Sequence, residues 1–327
     1  MQVDETELTA LAALRRERLD PLLPAQVGTQ PGCGELFTAT GPGGQPTGIA
    51  RCEHWTGEPG SLELLWGASR RFTLVPQLAG PDVADGLSQL LTQWSDHLAD
   101  VPEVDDPDTA AVVNWPSRDV AGVLALVAHG LVPFDVIAIR EVARAANVRP
   151  ADPGLTSAAG LRLRQAGPAD LDLVAEFDYA EVQFDAHFGG VIDRPFALEA
   201  LRDYARVQLS GPDPWTWLAE RDDAVAGMLT AERPAAATWV APFTSRSPIA
   251  YLMSAFVKPT ERGSGVARLL TQQFHRASAA ADIGTSLLHY ETFNPLSGHF
   301  WNQQGYRPLW TVFTATPVGS LRRVPLR

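Results

Sequence analysis

The stretch FVKPTERGSGVARLLTQQF, Phe256 to Phe274, runs from an apolar strand end through a proline turn and a glycine-containing bend into a helix with one apolar face. Val266, Leu269, Leu270, Phe274 and Ala277 recur at helical spacing, so the helix begins near Ser264 or Gly265 and lays that face on a sheet. Its first turn then points outward. The leading N–H groups have no intrahelical acceptor, the helix dipole is positive there, and Gly263 and Gly265 carry no side chain to block an oxyanion. Arg262 adds a full positive charge. Physically this is a phosphate site, and a diphosphate could span several of those nitrogens, the alternative being a simple glycine-containing helix entry.

The surrounding pattern is mixed α/β. Upstream come a strand at Leu161–Leu163, a turn at Gly167-Pro168 and a helix carrying Leu171, Leu173, Val174 and Phe177. A second helix from about Pro195 to Leu209, a hairpin turning at Asp222-Asp223 and a strand IAYLMSAFVKP lead to the bend. Beyond it, TSLLHYETF reads as a strand, PLSGHFWNQQG as a short helix closed by Gly305, and LWTVFTATP as a last strand. The N-terminal part predicts a short first helix, strands at GELFTATG and PTGIARCEHW, a stretch SLELLWGA, a helix from about Val83 to Leu98, a strand AAVVNW, a helix RDVAGVLALVAHG and a strand VPFDVIAIREV. LVAHGLVPFDVIAI and FWNQQGYRPLWTVFTA share one grammar, a helix ending at glycine and a strand starting near proline, which predicts two copies of one fold with a period of about 150 residues. The segment NVRPADPGLTSAAG is the linker between them, placing domains at 1–156 and 157–327.

A chain of 327 residues is long enough for two such domains, and no run approaches the roughly eighteen apolar residues of a membrane span. The first residues lack the continuous apolar core of a secretory signal, and Cys33 and Cys52 form no metal or disulfide framework, so a cytoplasmic protein without a metal site is expected. The formal charge of −12 disfavours nucleic acid, whose affinity comes from clustered Lys and Arg, and favours a cationic small molecule. Either a monomer or a homodimer is compatible with this composition.

Among phosphate loops, a Walker A motif needs a Gly-Lys pair that ERGSGVAR lacks, and a dinucleotide fingerprint needs a third glycine where Arg268 stands. Arg262-Gly263-Ser264-Gly265-Val266-Ala267, preceded by Val257 and Pro259, closely resembles the Arg/Gln-x-x-Gly-x-Gly/Ala signature of the GCN5-related N-acetyltransferases, the GNAT superfamily. A second signature of that family is similar to Asn294, Ser297, Phe300-Trp301, Gly305 and Tyr306. The resemblance covers about Leu161 to Pro317. It implies two tandem domains, each a mixed, mostly antiparallel sheet flanked by helices, the N-terminal one degenerate.

It also implies acetyl-CoA as cosubstrate. Backbone amides of Arg262, Gly263, Ser264, Gly265, Val266 and Ala267 would hold the pyrophosphate, Phe256 and Val257 the pantetheine and acetyl carbonyl, and Asn294 the pantetheine arm, with Phe300 and Trp301 beside it. A small-molecule amine would attack the thioester directly, which needs a base and a partner for the departing thiolate. Glu291, near its strand's C-terminal end, is the expected base, with His289 on the same face. Tyr290, Ser297, His299 and Tyr306 are the candidate acids by proximity in sequence, because Trp301 stands where the family often has tyrosine and an indole cannot supply a proton near neutral pH. The alternative is a thiolate that leaves without protonation by the protein. Asp178, Glu181, Asp185 and His187, with Tyr179, Phe184 and Phe188, would line an acidic and aromatic mouth. The alternatives are a non-catalytic acyl-CoA-binding regulator and an acetyltransferase of proteins or peptides. In the N-terminal half, aligning GPDVADGLSQLL with KPTERGSGVARLL by the leucine pair sets Val83 opposite Arg262, Gly86 opposite Gly265 and Ser88 opposite Ala267, with Asp82 and Asp85 at the helix start, a pattern that repels phosphate.

Overall fold

The structure, a computed structural model, describes residues 5–27, 34–141 and 160–324. The linker Asn147 to Gly160 (Gly160 excepted), the boundary at 156/157 and Cys33 lie outside them.

The N-terminal half contains α1 (Glu5–Leu19), β1 (Leu36–Thr40), β2 (Pro46–Thr56), β3 (Arg70–Leu78), α2 (Val83–Leu98), β4 (Thr109–Pro116), α3 (Val123–Ala128) and β5 (Val132–Glu141). The C-terminal half contains β6 (Leu161–Gln165), α4 (Leu171–Asp185), α5 (Ala197–Leu209), β7 (Thr216–Arg221), β8 (Ala224–Glu232), β9 (Ile249–Val257), α6 (Val266–Ala280), β10 (Thr285–Glu291), α7 (Ser297–Gln303) and β11 (Arg307–Ala315). From β1 to β5 and from β7 to β11 the element order is the same, as the shared grammar predicts. All eleven strands join one sheet in the order β1-β2-β3-β4-β11-β5-β10-β9-β8-β7-β6. Only β3–β4 and β9–β10 pair in parallel, so the sheet is mixed and mostly antiparallel.

The order holds a feature that local pattern does not reveal. Each half gives its last strand to the other: β11 pairs with β4 over six residues, and β5 pairs with β10 over seven. β5 and β11 also pair with each other, so the halves cannot part without breaking ladders.

Two stretches carry elements that the sequence pattern did not assign. SLELLWGA forms a 3-10 turn at Leu62–Leu65, and RRFTLVPQL is β3 at the sheet's interior. Pro76 normally argues against a central strand because it lacks a donor. Here β3 pairs with β4 only as far as Leu74, and Ala79 N–H bonding to Thr47 O sets the alternation that leaves Pro76 out of the β2 hydrogen bonds. Its nitrogen faces the side from which β4 has departed, so no ladder bond is lost.

The cores follow the sheet faces. α2 packs Leu87, Leu90, Leu91 and Trp94 on the N-terminal half, and α6 packs Val266, Leu269, Leu270 and Phe274 on the C-terminal half. Trp94 and Phe274 are fully buried, each contributing about 1.5–3 kcal/mol of apolar burial. On the other face Ile137, Ile139, Ile249, Tyr251, Leu287 and Leu309 form a core shared by both halves.

Candidate active site

The bend is built as its residues dictate. β9 ends at Val257, Pro259–Glu261 forms a 3-10 turn, and α6 starts at Val266 with Gly265 as its cap. Gly263 and Gly265 have φ of 78° and 91°, the left-handed region that glycine reaches without strain. A methyl group added to either would meet no atom within 4 Å, so the bend is open. Ser264 N–H turns back to Glu261 O, and Leu269 N–H makes the first α-helical bond, to Gly265 O. The amides of Val266, Ala267 and Arg268 therefore precede any intrahelical acceptor. Arg262 is exposed, its guanidinium over the Phe184 ring at 4.8 Å.

Beside the bend the sheet opens. β9 and β10 pair only from Ile249↔Thr285 to Leu252↔Leu288, although β9 continues to Val257 and β10 to Glu291. A register shift between Ser254 and Leu252 bends β9 away at the same point. Lys258 N–H bonds to Ala226 O, so by antiparallel alternation Phe256 also faces β8, whereas Ala255 and Val257 turn their amides away from it. Ala255 N–H reaches Glu181 Oε1 at 3.4 Å. Phe256 packs its ring on Phe177, 5.1 Å between centroids.

Carboxyl groups surround the parted strands. Glu291 is 8% exposed; its Oε1 accepts Val191 N–H at 3.0 Å, and Oε2 has no partner among the described residues. Gly190 makes that approach possible, since a Cβ there would lie 2.3 Å from Oε1. Burial, then the Asp185 charge, pushes Glu291 up to about 7. Asp135 of β5 lies opposite it in register and is held well above the usual carboxylate range, first by burial. On α4, Asp178 is pushed up to about 7 by burial, and burial also raises Glu181 and Asp185. Glu181 accepts from Ser254 Oγ, and Asn294 Nδ2 donates to Asp185 Oδ1 at 3.0 Å. His289 shares the Glu291 face as expected. It bonds Tyr251 through Nδ1 at 3.0 Å, stacks on Trp239, and is pushed down to about 4 by burial.

Residues 180–306 match the profile described as the acetyltransferase (GNAT) family. The C-terminal half belongs to the GNAT acetyltransferases. Among solved structures, a GCN5-related N-acetyltransferase from Sphaerobacter thermophilus is 13% identical, covering 88% of this chain and 82% of its own, with a TM-score of 0.52. An acetyltransferase of the GNAT family from Colwellia psychrerythraea is 13% identical over 94% of this chain and 96% of its own, with a TM-score of 0.46. A tandem GNAT protein from the clavulanic acid biosynthesis pathway is 13% identical over 97% of both chains, at 0.44. At these identities the first likeness shows the fold alone. No curated protein matches the chain.

Within the GNAT half the second signature divides. Asn294 is buried, its amide spent on Asp185 and its Oδ1 on Leu296 N–H at 3.0 Å. Ser297 opens α7, half-buried, its N–H on Asn294 O. Tyr290 lies one residue from Glu291 on the opposite strand face, its ring against Gly298, and burial raises it. Phe300 is half-buried against Trp301, whose own 8% exposure puts it in the α6 core beside Tyr306. Of the expected mouth, Asp178, Glu181 and Asp185 gather at the opening, while His187 is exposed and bonds its own helix end.

Sequence reasoning missed Asp135, which arrives on the exchanged strand. A lone acid inside the apolar run VPFDVIAI was the available signal. That the N-terminal half serves as scaffold or as one wall of the substrate site was expected from its degenerate helix start, but the residues that join it to the site were not named. Arg194 bonds Leu64 O at 2.7 Å and Asp108 Oδ1 at 2.7 Å, and Ile192 N–H bonds Leu65 O, fixing the segment that carries Gly190 and Val191.

Proposed function

We propose that the protein transfers the acetyl group of acetyl-CoA to a primary amine of a small molecule by direct attack in a ternary complex. The observation that carries this reading is the open glycine bend beside the gap where β9 leaves β10, with Glu291 at the rim. The bend's free amides and Arg262 suit the coenzyme's diphosphate, and the outward amide of Val257 suits its amide-bearing arm. Glu291, raised to about 7, suits removal of the proton from a bound ammonium near neutral pH. The amine nitrogen then forms the C–N bond, the C–S bond breaks, and the sulfur leaves with its electron pair. Tyr290 and Ser297 are the hydroxyls offered to the thiolate.

The N-terminal half acts in this reading as scaffold and site wall. The cytoplasm suits such an enzyme, and no helix among the described residues is long and apolar enough to cross a membrane. Thiol release measured across a panel of amines tests it. Coenzyme A appearing faster with some amine than without supports transfer. Tight acetyl-CoA binding with no turnover on amines or peptides would leave a binding protein, and turnover on peptides alone would move the acceptor to a protein.

A further inference from the structure

Asp178, Glu181 and Asp185 recur at three- and four-residue steps on one face of α4. At 1.5 Å per residue, Glu181 and Asp178 stand about 6 and 10 Å along the axis from Asp185. β9 fixes the far end through Ser254 and Ala255, both bonded to Glu181. At the near end Asp185 holds Asn294, whose N–H returns to Glu291 O at 3.2 Å, and Glu291 faces Asp135 across the β10–β5 ladder. Five carboxyl groups thus form a row leading from α4 to the rim of the gap.

The row is short of positive partners. The groups that shift these five carboxyls are burial, hydrogen bonds and one another, with no Lys or Arg among them. Each end carries a buried oxygen without a partner among the described residues: Oδ1 of Asp178, which is 5% exposed, and Oε2 of Glu291, which is 8% exposed. Unpaired buried acceptors are costly unless a ligand supplies the donors. A metal ion does not fit, because no three carboxylates among the described residues converge on one point. The occupant that fits is elongated, with ammonium groups at both ends.

Resting on the acetyl-transfer reading, we propose that the acceptor is an α,ω-diamine. One nitrogen loses a proton to Glu291 and attacks the thioester carbonyl; the C–N bond forms, the C–S bond breaks, and the thiolate departs with its electron pair and takes up the second proton that the nitrogen sheds. The other stays an ammonium, held by Asp178 and Glu181.

The test uses the full chain with saturating acetyl-CoA and compares length-matched probes, butylamine against putrescine and hexylamine against hexamethylenediamine. The expected kcat/KM for the better diamine exceeds that of its monoamine by about 50-fold or more, the worth of one or two charge-assisted hydrogen bonds. Glu181→Gln and, separately, Asp178→Asn should each raise the diamine KM and shrink that ratio about tenfold. Equal kcat/KM in both series overturns the diamine proposal and leaves acetyl transfer standing. Calorimetric titration with the same diamines gives a readout independent of turnover. Diamine binding without any coenzyme A release removes the acetyl-transfer reading, and absence of diamine binding removes this one.

Discussion

The two parallel strand pairs open in the same way and end differently. β3 leaves β4 after Leu74↔Val113 as β9 leaves β10 after Leu252↔Leu288. In the C-terminal half the gap meets an open bend. In the N-terminal half, Asp82 caps α2 by accepting Asp85 N–H at 3.0 Å, and Ala79 and Gly80 spend their N–H groups on Thr47 O. α2 also starts seven residues before its leucine pair, Leu90-Leu91, whereas α6 starts three before Leu269-Leu270. An added turn of helix therefore occupies the place of the bend. The gap itself persists as a cavity of about 240 Å³ lined by Pro76, Trp115, Trp239 and Trp310. The open amides of Val266, Ala267 and Arg268 thus depend on a few backbone positions at a helix start, which differ between the halves while the sheet beneath is kept. The exchange of β5 and β11 gives a reason for keeping it, since the C-terminal half depends on β5 for the ladder along β10, which sets Asp135 opposite Glu291.

The largest effect expected in breaking this comparison lies at the strand end. Glu291 is the seventh residue of β10, and the seventh residue of β4 is Trp115, whose indole donates to Asp119 O at 2.7 Å. Glu291→Gln should lower kcat by about 100- to 1,000-fold, in the range of a lost general base. The base must be ionised, and burial followed by Asp185 holds Glu291 at about 7, so the wild-type rate should climb as pH rises through about 7 and then level off. The variant's profile should lack that limb. A limb retained in Glu291→Gln would assign the titration to Asp185 or Asp135 instead.

Next in size is the bend. Gly265→Ala forces a side chain onto φ 91°, and Arg262→Ala removes the charge over Phe184. Each should weaken acetyl-CoA binding by about 1–3 kcal/mol, read by calorimetry. Unchanged affinity in both would detach the bend from the coenzyme.

How much of this was legible follows from how local each determinant is. The open bend could be read because two glycines, a proline turn and one helix face fix it within a few residues. β3 escaped because Pro76 looks like a strand breaker until the departure of β4 is known. The strand exchange escaped because the periodicity of VPFDVIAI says that it is a strand and nothing about its partner. Asp135 was hidden with it. The start of α2 at Val83 was legible, but the leucine-pair alignment set Gly86 opposite Gly265 because it assumed helices of equal length before the pair, whereas Asp82 has the capping role in α2 that Gly265 has in α6.

The acidic row should cost stability as well as serve binding. Burial raises Asp178 from 3.8 to about 7, so the fold favours its protonated form, and the penalty grows as pH climbs from about 4 to about 7. Asp178→Asn should then raise stability by about 1–3 kcal/mol at pH 8 and by less at pH 5, measured by denaturant unfolding. A gain independent of pH would mean that the Asp178 carboxyl titrates alike in the folded and unfolded protein, so that burial does not raise it.

The smallest effect sharpens the comparison most. Asp82→Ala removes the carboxylate that closes α2 and should cost about 1 kcal/mol of stability, the usual loss for a helix cap. It should leave acetyl-CoA binding unchanged in affinity and in stoichiometry, because Gly80 and Ala79 remain bonded to Thr47 and the extra helical turn remains in place. Calorimetry with acetyl-CoA reads both quantities in one titration. A second binding event in the variant would show that a single carboxylate, and not the lengthened helix, keeps the N-terminal half from holding a coenzyme. The two halves would then differ by one side chain at the helix start, and the strand exchange would join two potential sites.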